Sequence, residues 1–341
     1  MKKTLLTILQ YIVFLGLGIW IIYHMLHQLK PEQKDELVAA IKSIDAWYLI
    51  PICFVGFLSH FFRALRWRYL LETVEMKPTV LNTTFAVMIG YITNLALPRA
   101  GEVAKCTVLA KYEKMPAHKM IGTIVAERAF DIVSLLVIAI IAFIVQFGQI
   151  SNYVGAGAHQ LGERMETPHN ERVLFMVIGA LAIFIIASVI IYRRNRETKF
   201  GRFMKEMNRG VLSILHMKKR GQFMGYTVLI WLMYVLQIYI GLKSLPDTHH
   251  LSALVALVVL VYGSIGMIVT PGGIGLYPFL VAQILTVVYG INEVPAQAFG
   301  WIAWVVQTAI IIVLGVVSLL FIHSYNRRRD AQVAVDTKQN I

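Results

Sequence analysis

Apolar runs alternate with short polar segments along most of the chain. They fall at residues 4–26, 47–71, 80–97, 122–147, 173–192, 223–242, 251–269, 276–289 and 297–322. Several reach the roughly 20 residues that a helix needs to cross a ~30 Å hydrocarbon core. The pattern predicts helices lying in a membrane. Trp47 and Tyr48 stand at the mouth of the second run, where interfacial aromatics belong. Residues 31–45 are polar, yet Leu37, Val38, Ile41 and Ile44 share one helical face, which predicts a short interfacial helix opened by Pro31. Residues 200–215 place Phe200, Phe203, Met204, Met207, Val211, Ile214 and Leu215 at helical spacing opposite Lys and Arg. They read either as a basic amphipathic helix on the inner leaflet or as a loop helix packed on the bundle.

Composition agrees: 57% of the residues are apolar and 15% charged. That excludes a disordered chain, a disulfide scaffold and a soluble nucleic-acid binder. The net charge of +13 therefore reflects Lys and Arg retained in cytoplasmic loops rather than a nucleic-acid surface. Charge also decides topology. If every run crosses in turn, residues 193–220, with ten Lys/Arg and two Glu, fall outside. One change repairs this violation of the positive-inside rule. Residues 80–97 enter from the cytoplasm, break at Pro98-Arg99-Ala100-Gly101 and return as a short helix ending near residue 112. Residues 251–269 enter from outside, break at Pro271-Gly272-Gly273 and return as residues 276–289.

The predicted fold is an all-α polytopic membrane protein with about six full transmembrane helices and two re-entrant helical hairpins. Its hairpins open to opposite sides in an inverted-topology repeat, a plan shared by many secondary transporters. Two helices merely kinked by proline are the alternative. No repeat shows at the residue level beyond the paired Pro/Gly breaks. Residues 1–325 form one membrane domain and residues 326–341 a basic, polar tail. The first run is read as an uncleaved anchor, with both termini cytoplasmic in a bacterial cytoplasmic (inner) membrane.

Charges at membrane depth carry a high insertion cost and ask for a reason. Arg99 and Glu102 lie at the first break, and Glu127, Arg128 and Asp131 in the span that follows. Glu127 and Asp131 share a helical face, and Arg99 or Lys105 on the returning helix can meet them. These groups form either a headgroup site or an ion-pair cluster that fixes the hairpin. After each break a half-helix begins near the midplane, where free N–H groups and the positive dipole end favour an anion. Gly101, Gly272, Gly273 and Gly275 permit close backbone approach there. Arg63, Arg66 and Arg68, interleaved with Trp67 and Tyr69, are placed either to fork around lipid phosphates or to snorkel as anchors. Residues 262–266 lack the first glycine of a nucleophile elbow, and no HExxH, P-loop or dinucleotide fingerprint occurs. No metal, cofactor or catalytic residue is assigned.

Four segments carry a family resemblance: FRALRWRYLL (62–71), NLALPRAGE (94–102), AERAFD (126–131) and PGGIG (271–275). Taken in order, they resemble the flippase-like family, also called the lysylphosphatidylglycerol synthase transmembrane region, across about residues 5–325. Similar domains form the lipid-translocating half of the multiple peptide resistance factor. The resemblance implies handling of a phospholipid or polyprenyl-linked lipid, with Arg99, Glu102, Glu127, Arg128 and Asp131 on its polar motif positions. It also shows a departure, because Pro278 stands where the family often has a glutamate. The sequence ends at Ile341 without an aminoacyl-transferring domain, so synthesis of lysyl-lipid is not expected.

The resulting expectation is a lipid flippase-like transporter whose partners are membrane lipids with phosphate-bearing headgroups. Substrate binding is assigned to Arg63, Arg66, Arg99, Gly101, Glu102, Glu127, Arg128, Asp131, Gly272 and Gly273. The alternatives are an intramembrane enzyme acting through Glu102, Glu127 or Asp131, and a non-catalytic partner of a lipid-modifying enzyme.

Overall fold

Pro31 opens α1 (Pro31–Lys42), where its missing N–H costs nothing, and the Gln33 side chain accepts the Lys30 backbone N–H at 3.0 Å. Leu37 on its apolar face packs with Leu29, Val294 and Ala298. A computed structural model of the chain describes residues 29–97, 100–146 and 216–339, with residue 214 and scattered positions between 16 and 27. The predicted spans 4–26 (for the most part) and 173–192, and the amphipathic stretch 200–215 apart from residue 214, lie outside the described residues.

A single turn at Ala46–Tyr48 is capped by Asp45, whose side chain accepts the Trp47 backbone N–H. It leads into α2 (Leu49–Glu72). The chain then forms α3 (Val80–Ala96), α4 (Ala100–Glu113), α5 (Ala117–Val145) and α6 (Arg220–Lys243). It continues through α7 (Ala253–Val269), a turn at Pro271–Gly273, α8 (Leu276–Val287) and α9 (Glu293–Gln339). No strand occurs among the described residues.

Length separates two kinds of helix. Among the described residues, four stretches, built on α2, α5, α6 and α9, are long and apolar enough to cross a membrane. In contrast α4, with 14 residues, rises about 21 Å and α8, with 12, about 18 Å, both short of a ~30 Å core. Lipid-facing surface follows the same division. Val137, Ile140, Ile144, Ile312, Val316 and Leu320 are exposed along α5 and α9, which suits hydrocarbon rather than water.

The short helices form two antiparallel hairpins. In the first, Thr79 and Asn82 at the start of α3 donate to Glu113 at the end of α4, while Gly90 in mid-α3 lies against Gly101 in the first turn of α4. In the second, Gly263 and Gly266 of α7 receive Tyr277 of α8. The breaks meet: a methyl group on Gly272 would lie 3.2 Å from the Leu95 side chain of the first hairpin.

The hairpins open to opposite ends of the bundle. The Thr79–Glu113 end also receives Asn326 and Arg329 from far along α9. The other end holds α1, the start of α9 and the junction in which the Asp45 N–H donates to the Ser244 carbonyl. There Lys243 of α6 donates to the carbonyls of His249 and Leu251, just before α7 begins. Two elements run longer than the apolar pattern suggested. α5 begins at Ala117 through His118 and Lys119, and α9 continues beyond residue 322 because residues 323–339 contain neither Gly nor Pro.

Candidate functional site

α2 aligns His60, Arg63 and Arg66 at three-residue intervals, so the three side chains share one side of the helix. α5 sets Glu127 and Asp131 one turn apart facing them. Arg63 Nη1 donates to Asp131 Oδ2 at 2.8 Å, and Arg66 Nη2 to Asp131 Oδ1 at 2.7 Å. Glu127 Oε1 lies 3.4 Å from Arg66 and 3.6 Å from Arg63. From α4, Lys105 Nζ closes on Glu127 Oε2 at 2.7 Å. The network reaches the surface through Arg128, whose Nε donates to Glu102 Oε1 at 2.9 Å and whose Nη1 is 4.0 Å from Asp131.

Aromatic groups wall the network. Lys105 Nζ lies 4.3 Å above the Trp67 ring, and the Arg66 guanidinium 5.5 Å from the Phe223 ring centre. Trp67 is fully buried and donates its indole N–H to Thr123 Oγ1 at 3.0 Å, which holds the ring under the lysine. The dry end thus contains Arg66 and Glu127, while the Glu102–Arg128 pair is partly exposed.

The network is incompletely satisfied and unbalanced. Four cations (Arg63, Arg66, Lys105, Arg128) meet three carboxylates (Glu102, Glu127, Asp131), an excess of one positive charge among the described residues. Among the described residues, five buried nitrogens find no hydrogen-bond partner: Arg63 Nε, Arg66 Nε and Nη1, and both ring nitrogens of His60. Such groups are costly to bury unpaired. An anion placed there would supply both the missing charge and the missing acceptors.

The sequence-assigned residues divide into three groups. Arg63, Arg66, Glu102, Glu127, Arg128 and Asp131 come together in one network, and Lys105 is the α4 cation that meets the carboxylates. Arg63 and Arg66 are buried ion-pair members rather than snorkelling anchors, whereas Arg68 turns away to the Pro78 carbonyl at 2.8 Å. Gly101 lies at the first hairpin's crossing, its N–H donating to Asn94 Oδ1 at 2.8 Å. Gly272 and Gly273 form the second break, with φ of 63° and 73°, a region open to glycine. The Gly272 carbonyl accepts the Trp304 indole N–H at 2.8 Å, so these glycines belong to the meeting point of the breaks and not to the ion network. Arg99 lies outside the described residues. Pro278 packs its backbone against Gly300 of α9. His60 and Tyr91, in tilted ring contact with centres 5.1 Å apart, were missed. The i, i+3 spacing of His60 and Arg63 was the available signal.

Residues 7–326 match the family described as Lysylphosphatidylglycerol synthase TM region. The chain belongs to this family. A relative described as a UPF0104 membrane protein, from Methanothermobacter thermautotrophicus, is 21% identical over 262 residues, covering 70% of this chain and 75% of the relative. The lysylphosphatidylglycerol synthase TM region match spans every element of the ion network and both hairpins, and it agrees with a multi-pass membrane protein.

Proposed function

We propose that this chain carries a phosphate-bearing lipid headgroup between leaflets, as a flippase-like transporter of the bacterial cytoplasmic membrane. The observation that supports it most is the network joining α2, α4 and α5, with one uncompensated positive charge and unpartnered guanidinium N–H groups. Planar guanidinium groups fork around phosphate oxygens, and in a low-dielectric site they attract an anion far more strongly than in water. The meeting of the two breaks supplies irregular backbone inside the protein, as transporters of inverted-repeat plan require. The end that gathers Arg329 on Glu113, and Lys219 on Glu72 at the end of α2, faces the cytoplasm in this reading. Arg99 at the first break adds a further cation, and Gly101, Gly272 and Gly273 let the headgroup pass close to the backbone. The enzymatic alternative is disfavoured by pairing: each network carboxylate is held by a cation within 3 Å, so none stands unengaged to act as a base.

Vesicles containing the purified protein and fluorescent phosphatidylglycerol test this reading. A membrane-impermeant reductant should reach inner-leaflet dye in parent vesicles and not in protein-free ones. Arg66→Gln and Arg99→Lys should each lose the activity at equal protein abundance, because Lys keeps the charge but not the fork. Equal dye accessibility in parent and protein-free vesicles overturns the proposal.

A further inference from the structure

The same network discriminates between classes of headgroup. Each of its carboxylates is already engaged at 2.9 Å or less by at least one cation. An entering ammonium would have to share a carboxylate that a cation already holds. The unengaged polar atoms are almost all donors, the guanidinium nitrogens of Arg63 and Arg66, with His60 beside them on the same side of α2. His60 is 3% exposed, and neither ring nitrogen has a hydrogen-bond partner among the described residues. A neutral imidazole offers one donor and one acceptor, a match for a hydroxyl or a phosphate oxygen. The second hairpin supplies no compensating anion, since residues 253–287 contain no Asp, Glu, Lys, Arg or His.

From this geometry we infer that the headgroup is an amine-free phosphate anion, a phosphodiester such as glycerol phosphate or a phosphomonoester, and that amine-bearing headgroups are rejected. This inference rests on the headgroup-binding role proposed above. An ammonium entering the network must displace a guanidinium from its carboxylate or lie beside like charge in a dry interior. The phosphate of an amine-free lipid instead neutralises the excess cation and accepts from Arg63 and Arg66, while His60 meets a second oxygen. Selectivity therefore resides in the unpaired half of the network. The Glu102–Arg128 pair at the exposed end tunes it, because it can lose either charge without opening the buried core.

Binding and transport are measured separately on the full chain. In detergent micelles, quenching of tryptophan fluorescence is titrated with phosphatidylglycerol, undecaprenyl phosphate, phosphatidylethanolamine and lysyl-phosphatidylglycerol, and with water-soluble glycerol phosphate to separate a lipid from a free phosphate. Phosphatidylglycerol or undecaprenyl phosphate should bind about tenfold or more tightly than either amine-bearing lipid. Arg128→Gln, which balances the network, should shrink that preference, Glu102→Gln should widen it, and His60→Phe should weaken phosphate binding with the fold intact. Equal or tighter binding of the amine-bearing lipids overturns the inference, as does unchanged selectivity in both charge variants. If glycerol phosphate competes as well as the lipids do, the ligand is a free phosphate and the lipid assignment is wrong. Selective binding without transbilayer movement of any fluorescent lipid overturns the transport proposal but not the selectivity. Movement with an amine preference does the reverse.

Discussion

The two hairpins share a construction and differ in chemistry. Each is a pair of short antiparallel helices held by a glycine crossing, Gly90 on Gly101 in the first and Gly263 with Gly266 on Tyr277 in the second. The first contributes Glu102 and Lys105 to the ion network and ends in a polar clasp. There Glu113 accepts from the Thr79 hydroxyl, Asn82 and Arg329, and Asn82 exchanges hydrogen bonds with Asn326. The second hairpin carries no charge and is held by apolar packing and the Trp304–Gly272 hydrogen bond. One hairpin thus offers electrostatic grip while the other offers shape.

The sharpest way to break this contrast is to strip one charge from the first hairpin's network. Glu127→Gln leaves Lys105 and Arg66 buried with reduced compensation, and removing one partner of a buried pair costs on the order of 3–5 kcal/mol. Folded protein surviving heating in detergent should fall markedly. No single substitution of a polar residue in α7 or α8 should match it.

The glycine crossings sharpen the structural half of the comparison. A Cβ on Gly101 overlaps the Gly90 carbonyl oxygen, so two helix backbones must separate. Gly101→Ala should cost roughly 3 kcal/mol or more, at the upper end of overpacking penalties. A Cβ on Gly266 lies 2.7–2.8 Å from Tyr277 backbone atoms, and Gly266→Ala should cost about 2 kcal/mol. Thermal unfolding of both variants checks the order, and a larger loss for Gly266→Ala would show that the second crossing is the tighter one.

The smallest effect belongs to the clasp. Burial raises the Glu113 pKa, but hydrogen bonds from Thr79 and Asn82 and the Arg329 guanidinium outweigh it and hold the carboxyl below its ordinary range. A depressed folded-state value means that the stabilisation is complete above the ordinary carboxylate range and is lost as pH falls through the folded value. Glu113→Gln should cost about 1 kcal/mol at neutral pH and flatten the loss of thermal stability on acidification. A parent and variant with parallel pH profiles would remove the clasp from the first hairpin's account.

Much of this was legible along the chain. Positive-inside counting required both hairpins, and the structure pairs the predicted segments antiparallel with opposed openings. The i, i+4 spacing of Glu127 and Asp131 placed them on one face, and Lys105 was a named partner. The fate of the α2 arginines was not legible, since a guanidinium near a span's end reads equally as an anchor or an ion-pair member. Only the approach of α5 to α2 decides that Arg63 and Arg66 turn inward while Arg68 finds the Pro78 carbonyl.

What the sequence determined alone is therefore periodic and local: which segments are apolar enough for a membrane, where Pro and Gly interrupt them, and which charges share a helical face. These follow from side-chain transfer energies and backbone freedom, which act within a turn or two of chain. The tertiary structure decided what crosses between segments. It set Leu95 against Gly272, brought Arg329 to Glu113 from 216 residues away, and left His60 and two guanidinium edges without a partner among the described residues. Burial and pairing depend on the distances between helices, and no spacing along one chain specifies those.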